Sequence, residues 1–236
     1  MKGKNIIVIG GSSGIGKAVA EKCVALEANV TITSRSLTKA EEVAKQIGNT
    51  VKGSQLDVNH EVSVIDFFNT HEIIDHIYIA AGATKLGALT DEAIEESMKA
   101  FDTRILGSLR VIKAAVHKMI NLGSIIFTGG VSTARPIAGA WVSGLATSTA
   151  EQLARVMVME FPNVRFNAVS PGWTDTPMWD EFLGDEKETV FSEVAAKLPV
   201  KKIATPEEVA DAVLFLMSNA SVTGETIHVD GGGRLV

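Results

Sequence analysis

The chain has 236 residues, 46% of them hydrophobic and 21% charged, enough for one well-filled α/β domain and short for two. Its formal net charge of -6, carried with scattered rather than clustered lysines, offers no basic field to a nucleic-acid backbone. No run reaches the roughly 18 uninterrupted apolar residues of a membrane span, since Lys113, His117 and Lys118 break the longest candidate, and the apolar start before the first glycines is too short for a secretory signal.

Short Val/Ile-rich runs alternate with helical patterns along the whole sequence, the signature of βαβ units and a parallel sheet. The first strand is expected at Asn5 to Gly10. It runs into Gly10-Gly11-Ser12-Ser13-Gly14-Ile15-Gly16, and a helix follows from Gly14 to Glu27. Further strands are expected at Asn29 to Ser34, Thr50 to Leu56, Ile73 to Ala80, Gly123 to Thr128, Val164 to Ser170 and Thr226 to Val229. Helices are expected at Leu37 to Ile47, Thr103 to Met119, Ala140 to Glu160 and Pro206 to Ser218, the last announced by Thr205, Pro206 and Glu208. The strands show little polar alternation, as expected where helices cover both faces. One irregular insertion, Trp173 to Leu198, follows the sixth strand. It would lie at the carboxyl ends of the strands, where open α/β sheets bind ligands, and reads as a substrate lid. No repeat or linker divides the chain, so residues 1–236 read as one domain.

The lone Cys23 excludes an intrachain disulfide and reads as a small buried hydrophobe in a reducing compartment. A cytoplasmic, soluble protein is expected, with no metal site. The glycine loop between strand and helix is the strongest functional signal. Glycines there let the backbone turn sharply and let a pyrophosphate approach the helix N-terminus, where unpaired N–H groups favour negative charge.

This loop resembles that of the short-chain dehydrogenase/reductase family, and other landmarks continue the resemblance across the chain. It implies a Rossmann-type, doubly wound parallel sheet of about seven strands that binds a nicotinamide dinucleotide. Gly10, Ser12, Ser13, Gly14, Ile15 and Gly16 would hold the pyrophosphate. At the end of the second strand, Ser34-Arg35 stands where an acidic residue would accept a hydrogen bond from the NAD ribose, so NADP(H) is expected over NAD(H). A solvated loop arginine is the alternative. Asp57-Val58 is similar to the pair that holds adenine. Ala80, Ala81 and Gly82 provide the close approach to adenosine, although the family's asparagine is missing. Pro171-Gly172 with Thr174 and Thr176 resembles the segment that grips the nicotinamide carboxamide.

The catalytic half departs from the family. Aligning Ser124 to Thr128 with its fifth strand and Ala150 to Glu160 with the following helix puts Gly130 at the serine position, Ser143 at the tyrosine position and Thr147 at the lysine position. Arg104 falls at the asparagine position in the preceding helix. The chain's single tyrosine, Tyr78, lies in an apolar run that reads as a buried strand. Losing a general acid typically costs about 10²–10⁴ in rate. Arg104 would bind an anionic substrate, fill the space of the lysine, or pair with a carboxylate at a subunit surface. Thr128, Ser132 and Thr133 offer hydroxyls, and Trp141 covers the ring or simply packs. His117 belongs on the face opposite Arg104. Two readings follow: a hydride-transferring oxidoreductase with a non-standard site and an unknown small carbonyl-type substrate, or a non-catalytic NADP(H) sensor or inactive partner of an active paralogue. By resemblance, the helices around Thr103–Met119 and Ala140–Glu160 form a subunit interface, so a homo-oligomer, a tetramer, is expected.

Overall fold

Mostly apolar runs, with the polar Lys52–Gln55 at one edge, become neighbouring strands of a seven-stranded parallel sheet in the computed structural model, which describes residues 1–82, 85–91 and 93–236. In chain order the elements are β1 (Asn5–Ile9), α1 (Gly14–Ala25), β2 (Asn29–Ser34), α2 (Leu37–Ile47), β3 (Lys52–Gln55), α3 (Glu61–Asn69), β4 (Ile74–Ile79), α4 (Ile94–Ala115), β5 (Met119–Thr128), α5 (Trp141–Glu160), β6 (Arg165–Pro171), α6 (Pro177–Leu183), α7 (Lys187–Lys197), α8 (Pro206–Ser218) and β7 (Thr226–Val229). The strand order is β3-β2-β1-β4-β5-β6-β7. Order reverses between β1 and β4, and the crevice above that switch point is where ligands bind in such sheets.

The alternating side chains of each strand feed two cores. Ile7, Ile9, Ile77, Ile79, Phe127 and Phe166 pack with α3, α4 and α5 on one face. Ile6, Val8, Ile32, Tyr78 and Ile126 pack with α1 and α8 on the other. Helix α8 starts with a reciprocal cap: Glu208 N donates to Thr205 Oγ1 at 3.4 Å and Thr205 N to Glu208 Oε2 at 2.9 Å. Its far end is closed by the buried guanidinium of Arg165, which donates to the carbonyls of Leu216 and Met217, both at 2.7 Å, and of Asn219 and Val222. A cation at a helix C-terminus meets both the orphan carbonyls and the negative end of the dipole.

The expected boundaries shift most around α4. Helix α4 begins at Ile94 rather than Thr103, because its first turns carry Glu95, Glu96 and Lys99 and face solvent, hiding the apolar stripe. It ends at Ala115 rather than Met119, which pairs with Ile74 as the start of β5, so that strand begins before Gly123. A register shift between Ile74 and His76, with Leu122 at φ 61, breaks the pattern there. The insertion Trp173–Leu198 is not irregular: it carries α6 and α7. Neither helix has a buried residue, so neither shows the stripe by which a helix is recognised. Among the described residues no helix is long and apolar enough to cross a membrane.

Candidate active site

The carboxyl end of β1 lifts the chain into the glycine loop. Gly10 has φ 81, and a β-carbon there would lie 2.9 Å from Ala81 N, so the loop rests directly on the residues that follow β4. Gly16 is equally confined, its would-be β-carbon 2.3 Å from Gly10 O. Ser13 caps α1 without a side-chain hydrogen bond, and the first turn holds no acidic residue. The helix therefore presents unpaired N–H groups to an anion.

Two hollows flank this loop. One, of about 310 Å³, is shared by Gly10, Ser12 and Ser13 with Ser34 and Arg35 from the β2 end, Asp57 and Val58 after β3, and Ala80 to Gly82 after β4. Lys39, from the first turn of α2, adds a second cation that the sequence did not single out. The other, a cleft of about 640 Å³, is bordered by Gly14, Ile15, Gly16, Pro171, Gly172, Thr174 and Thr176 on the cofactor side and by Arg104, Gly130, Ser143 and Thr147 across from them. The residues expected to hold the cofactor and the four at the family's catalytic positions thus all lie along one of the two hollows. An open helix N-terminus, a loop only glycine can build, and adjoining hollows on both sides of the switch point fit a dinucleotide.

The catalytic positions are filled by small, mutually packed groups. A β-carbon at Gly130 would lie 2.9 Å from Thr147 Cγ2. Thr147 Oγ1 donates back to Ser143 O at 2.8 Å, and Thr133 Oγ1 lies 3.1 Å from both Thr147 Oγ1 and Glu151 Oε1. The buried Glu151 also accepts from Gly130 N at 3.3 Å. It crowds Gly129, whose would-be β-carbon falls 2.5 Å from Glu151 Oε1. Ser143 Oγ donates to Lys85 O at 3.3 Å. Glu151 holds the strand end together below the cleft, a role legible only once α5 is docked.

Tyr78 is fully buried, as expected, yet it is among the residues at the cleft floor, and its hydroxyl sits 3.0 Å from Thr128 Oγ1, which lies 2.8 Å from Ile79 O. Burial pushes its pKa up to about 12, against the opposing pull of Thr128 and the Arg104 charge. Arg104 comes from α4 into the same floor. Its Nη1 donates to Thr128 O at 2.5 Å, its Nε is shut away from solvent with no partner, and no carboxylate among the described residues pairs with it. Burial lowers its pKa from the ordinary arginine value, and the nearby Tyr78 oxygen acts the other way. The guanidinium lies against Gly82, where a β-carbon would be 2.8 Å from Cζ. Within the described residues Arg104 thus lines the cleft floor and makes no ion pair.

The outer wall is aromatic. Trp173 and Trp179 stack with ring centroids 4.2 Å apart, and Phe191 meets Trp173 edge-on at 6.2 Å. Lys187 ties this wall together, 2.8 Å from Asp175 and 2.6 Å from Asp180, with its ammonium 5.3 Å from the Phe191 ring centre. Trp141 begins α5 but does not border the cleft, and His117 is exposed on a turn after α4. Ser132 does border the cleft, whereas Thr133 is occupied by Thr147 and Glu151.

A doubly wound sheet with a phosphate loop at its switch point and a cleft at its carboxyl edge defines a nucleotide-dependent α/β protein of the oxidoreductase type. The comparisons with known proteins make this specific. Residues 9–233 match the family model described as enoyl-(acyl carrier protein) reductase. The 3-oxoacyl-(acyl-carrier-protein) reductase of Aquifex aeolicus is 31% identical over 252 residues, covering 98% of each chain. A solved short chain dehydrogenase/reductase family protein superposes with a TM-score of 0.89 at 35% identity, over 100% of this chain and 99% of its own. A small-chain dehydrogenase solved in complex with NADPH gives 0.87 at 29%, over 100% of both chains. The chain belongs to the short-chain dehydrogenase/reductase family of oxidoreductases.

Proposed function

We propose that this chain is an NADP(H)-dependent oxidoreductase that moves hydride to or from a small carbonyl-type substrate through a non-standard active site. The observation that carries the reading is the shared cleft: the phosphate loop and the Pro171–Thr176 segment, which serves only the nicotinamide end, border the same 640 Å³ space as the substrate wall. A nicotinamide bound there would supply or accept the hydride. The chain's own groups orient the ring, exclude water and hold the substrate. Preference for NADP(H) rests on Arg35 and Lys39 beside the smaller hollow, with no carboxylate at the end of β2. The NADPH complex of a relative supports it.

With Gly130, Ser143 and Thr147 where the family's serine, tyrosine and lysine stand, those positions supply neither a phenol nor an ammonium. Reduction then needs a proton donor other than the family's tyrosine. Trp173 to Leu198 acts as the lid, held by Lys187. Exposed Leu106 and Leu109 on α4 and Leu145, Val156 and Met159 on α5 suit a homo-oligomeric interface, for which we take the tetramer as the working state. A cytoplasmic location agrees with a single buried thiol.

The close packing of Gly130 on Thr147 favours a second reading, a non-catalytic NADP(H) sensor or inactive partner subunit. Titration of NADPH and NADH by fluorescence, followed by a turnover screen of ketones, imines and activated alkenes, separates the two. NADPH consumption with any acceptor supports the enzyme. Tight NADPH binding with no consumption leaves the sensor.

A further inference from the structure

The charge balance of the cleft is unusual for a site that handles neutral carbonyls. Four charged residues border it: Arg104 at the floor, Arg135 and Lys197 at the exposed mouth, and Asp230 on the far wall. Asp230 is already spent. Its carboxylate is 2.7 Å from Arg234 Nη1 and accepts the backbone N–H groups of Gly232 and Arg234, both at 3.0 Å. The cations are not: none of the three is in an ion pair among the described residues. Arg104 keeps its Nε away from water with no counter-charge beside it, a cost that a bound anion would offset.

The geometry points to Arg104 as the receiver of a carboxylate on the substrate, which makes the substrate class an apolar, flat carbonyl compound bearing an acid group. This rests on the reductase reading above and names its substrate. Nη1 donates to Thr128 O and Nε is closed off beside Gly82, which leaves Nη2, with no hydrogen-bond partner among the described residues, as the donor a ligand would meet. A charge-assisted hydrogen bond from this guanidinium to a carboxylate is about twice as strong as one to a neutral ketone oxygen. The apolar body has its own wall in Leu86, Ile137, Trp173, Met178, Trp179 and Leu198. Arg135 and Lys197 at the mouth raise the local concentration of an anion before it reaches the floor.

The same cation would also suit a cofactor phosphate, so the test separates the two sources. Benzoylformate and its uncharged methyl ester are titrated calorimetrically into the full chain, with and without saturating NADPH, for wild type, Arg104→Gln and Arg104→Lys. Thermal melting confirms that each variant is folded. The expected result is that wild type prefers the acid to the ester by about tenfold or more, the discrimination of one charge-assisted pair. Arg104→Gln should lose that preference while keeping its NADPH affinity, and Arg104→Lys should retain part of it. Equal binding of acid and ester by wild type overturns the inference. So does an Arg104→Gln variant whose NADPH affinity falls while its acid-to-ester ratio stays, which assigns the anion to the cofactor. If Arg104→Gln does not fold, Arg104→Lys decides, since an acid-to-ester ratio unchanged from wild type refutes recognition by the guanidinium. Failure of the reductase reading looks different: no NADPH binding in wild type, with the acid preference still measurable in its absence.

Discussion

Gly130 and Thr147 share one space: a β-carbon added to Gly130 would lie 2.9 Å from the methyl of Thr147. The extended backbone at Gly130 tolerates any residue, so the constraint is contact rather than torsion. A serine at 130 and a threonine at 147 therefore compete. Gly130→Ser alone should destabilise the fold by about 1–3 kcal/mol through overpacking. Thr147→Ala in the same chain should recover most of that loss, because it removes the methyl in the way. Urea unfolding of the two single variants and the double variant measures the coupling, and additive effects would contradict the shared space.

The same competition governs any attempt to restore the family's residues. Gly130→Ser, Ser143→Tyr and Thr147→Lys should raise NADPH-dependent carbonyl reduction only in combination, since groups that act as a unit return little singly. On acid-bearing substrates the triple variant should lose turnover, because a tyrosine ring enters the space beside Arg104. Steady-state rates of wild type and triple variant on neutral and acidic ketones check both halves.

Arg35 is exposed at the end of β2, and Lys39 reaches the same hollow from α2. NADPH should bind at least tenfold more tightly than NADH, with Arg35→Ala erasing most of the difference and Lys39→Ala a smaller share, on the scale of a charge-assisted hydrogen bond. The preference should shrink as salt rises, because both cations face solvent. Equal affinities in wild type would refute it.

The sheet and its loop were legible because local patterns carried them. Asn5–Ile9 is apolar on both faces and ends in glycines, so strand, turn and helix N-terminus read directly from neighbouring residues. The helices α6 and α7 escaped recognition because they bury nothing. What the sequence hid is pairwise. The fit of Gly82 to Arg104, of Gly129 to Glu151 and of Gly130 to Thr147 joins residues from separate elements, and no spacing along the chain announces them. The phenol of Tyr78 reaches the cleft floor only because β4 and β5 lie side by side, which brings Thr128 to its hydroxyl.

Leu106 and Leu109 on α4 and Val156 and Met159 on α5 are exposed, Met159 by 85%. An exposed apolar surface shared by two adjacent helices marks an association site. Sedimentation should show an oligomer at micromolar concentration. Leu109→Glu with Val156→Glu should shift it toward smaller species while leaving the β-sheet signal unchanged. A wild-type monomer would refute the assembly.

At the opposite end of the sheet from the cleft, His76 is buried on β4 with Nδ1 2.9 Å from Ser124 Oγ. Burial first, and the Arg165 charge second, push its pKa down from 6.5 to about 4, with Asp75 opposing. The half-buried His71 is lowered in the same direction. Above pH 6.5 neither the folded nor the unfolded chain protonates His76, so it contributes no pH slope there. Between 6.5 and 4 the unfolded chain takes up a proton that the folded chain refuses, so stability falls as pH falls. Below about 4 both forms are protonated and the loss is complete, amounting to on the order of 3 kcal/mol. The decline should already be visible between pH 6.5 and 5, before most carboxylates titrate. His76→Asn, which cannot be protonated, should flatten that window even if it lowers stability at pH 7. Urea midpoints for both proteins at pH 7, 6 and 5 provide the check, and parallel declines would show that His76 is not the group responsible.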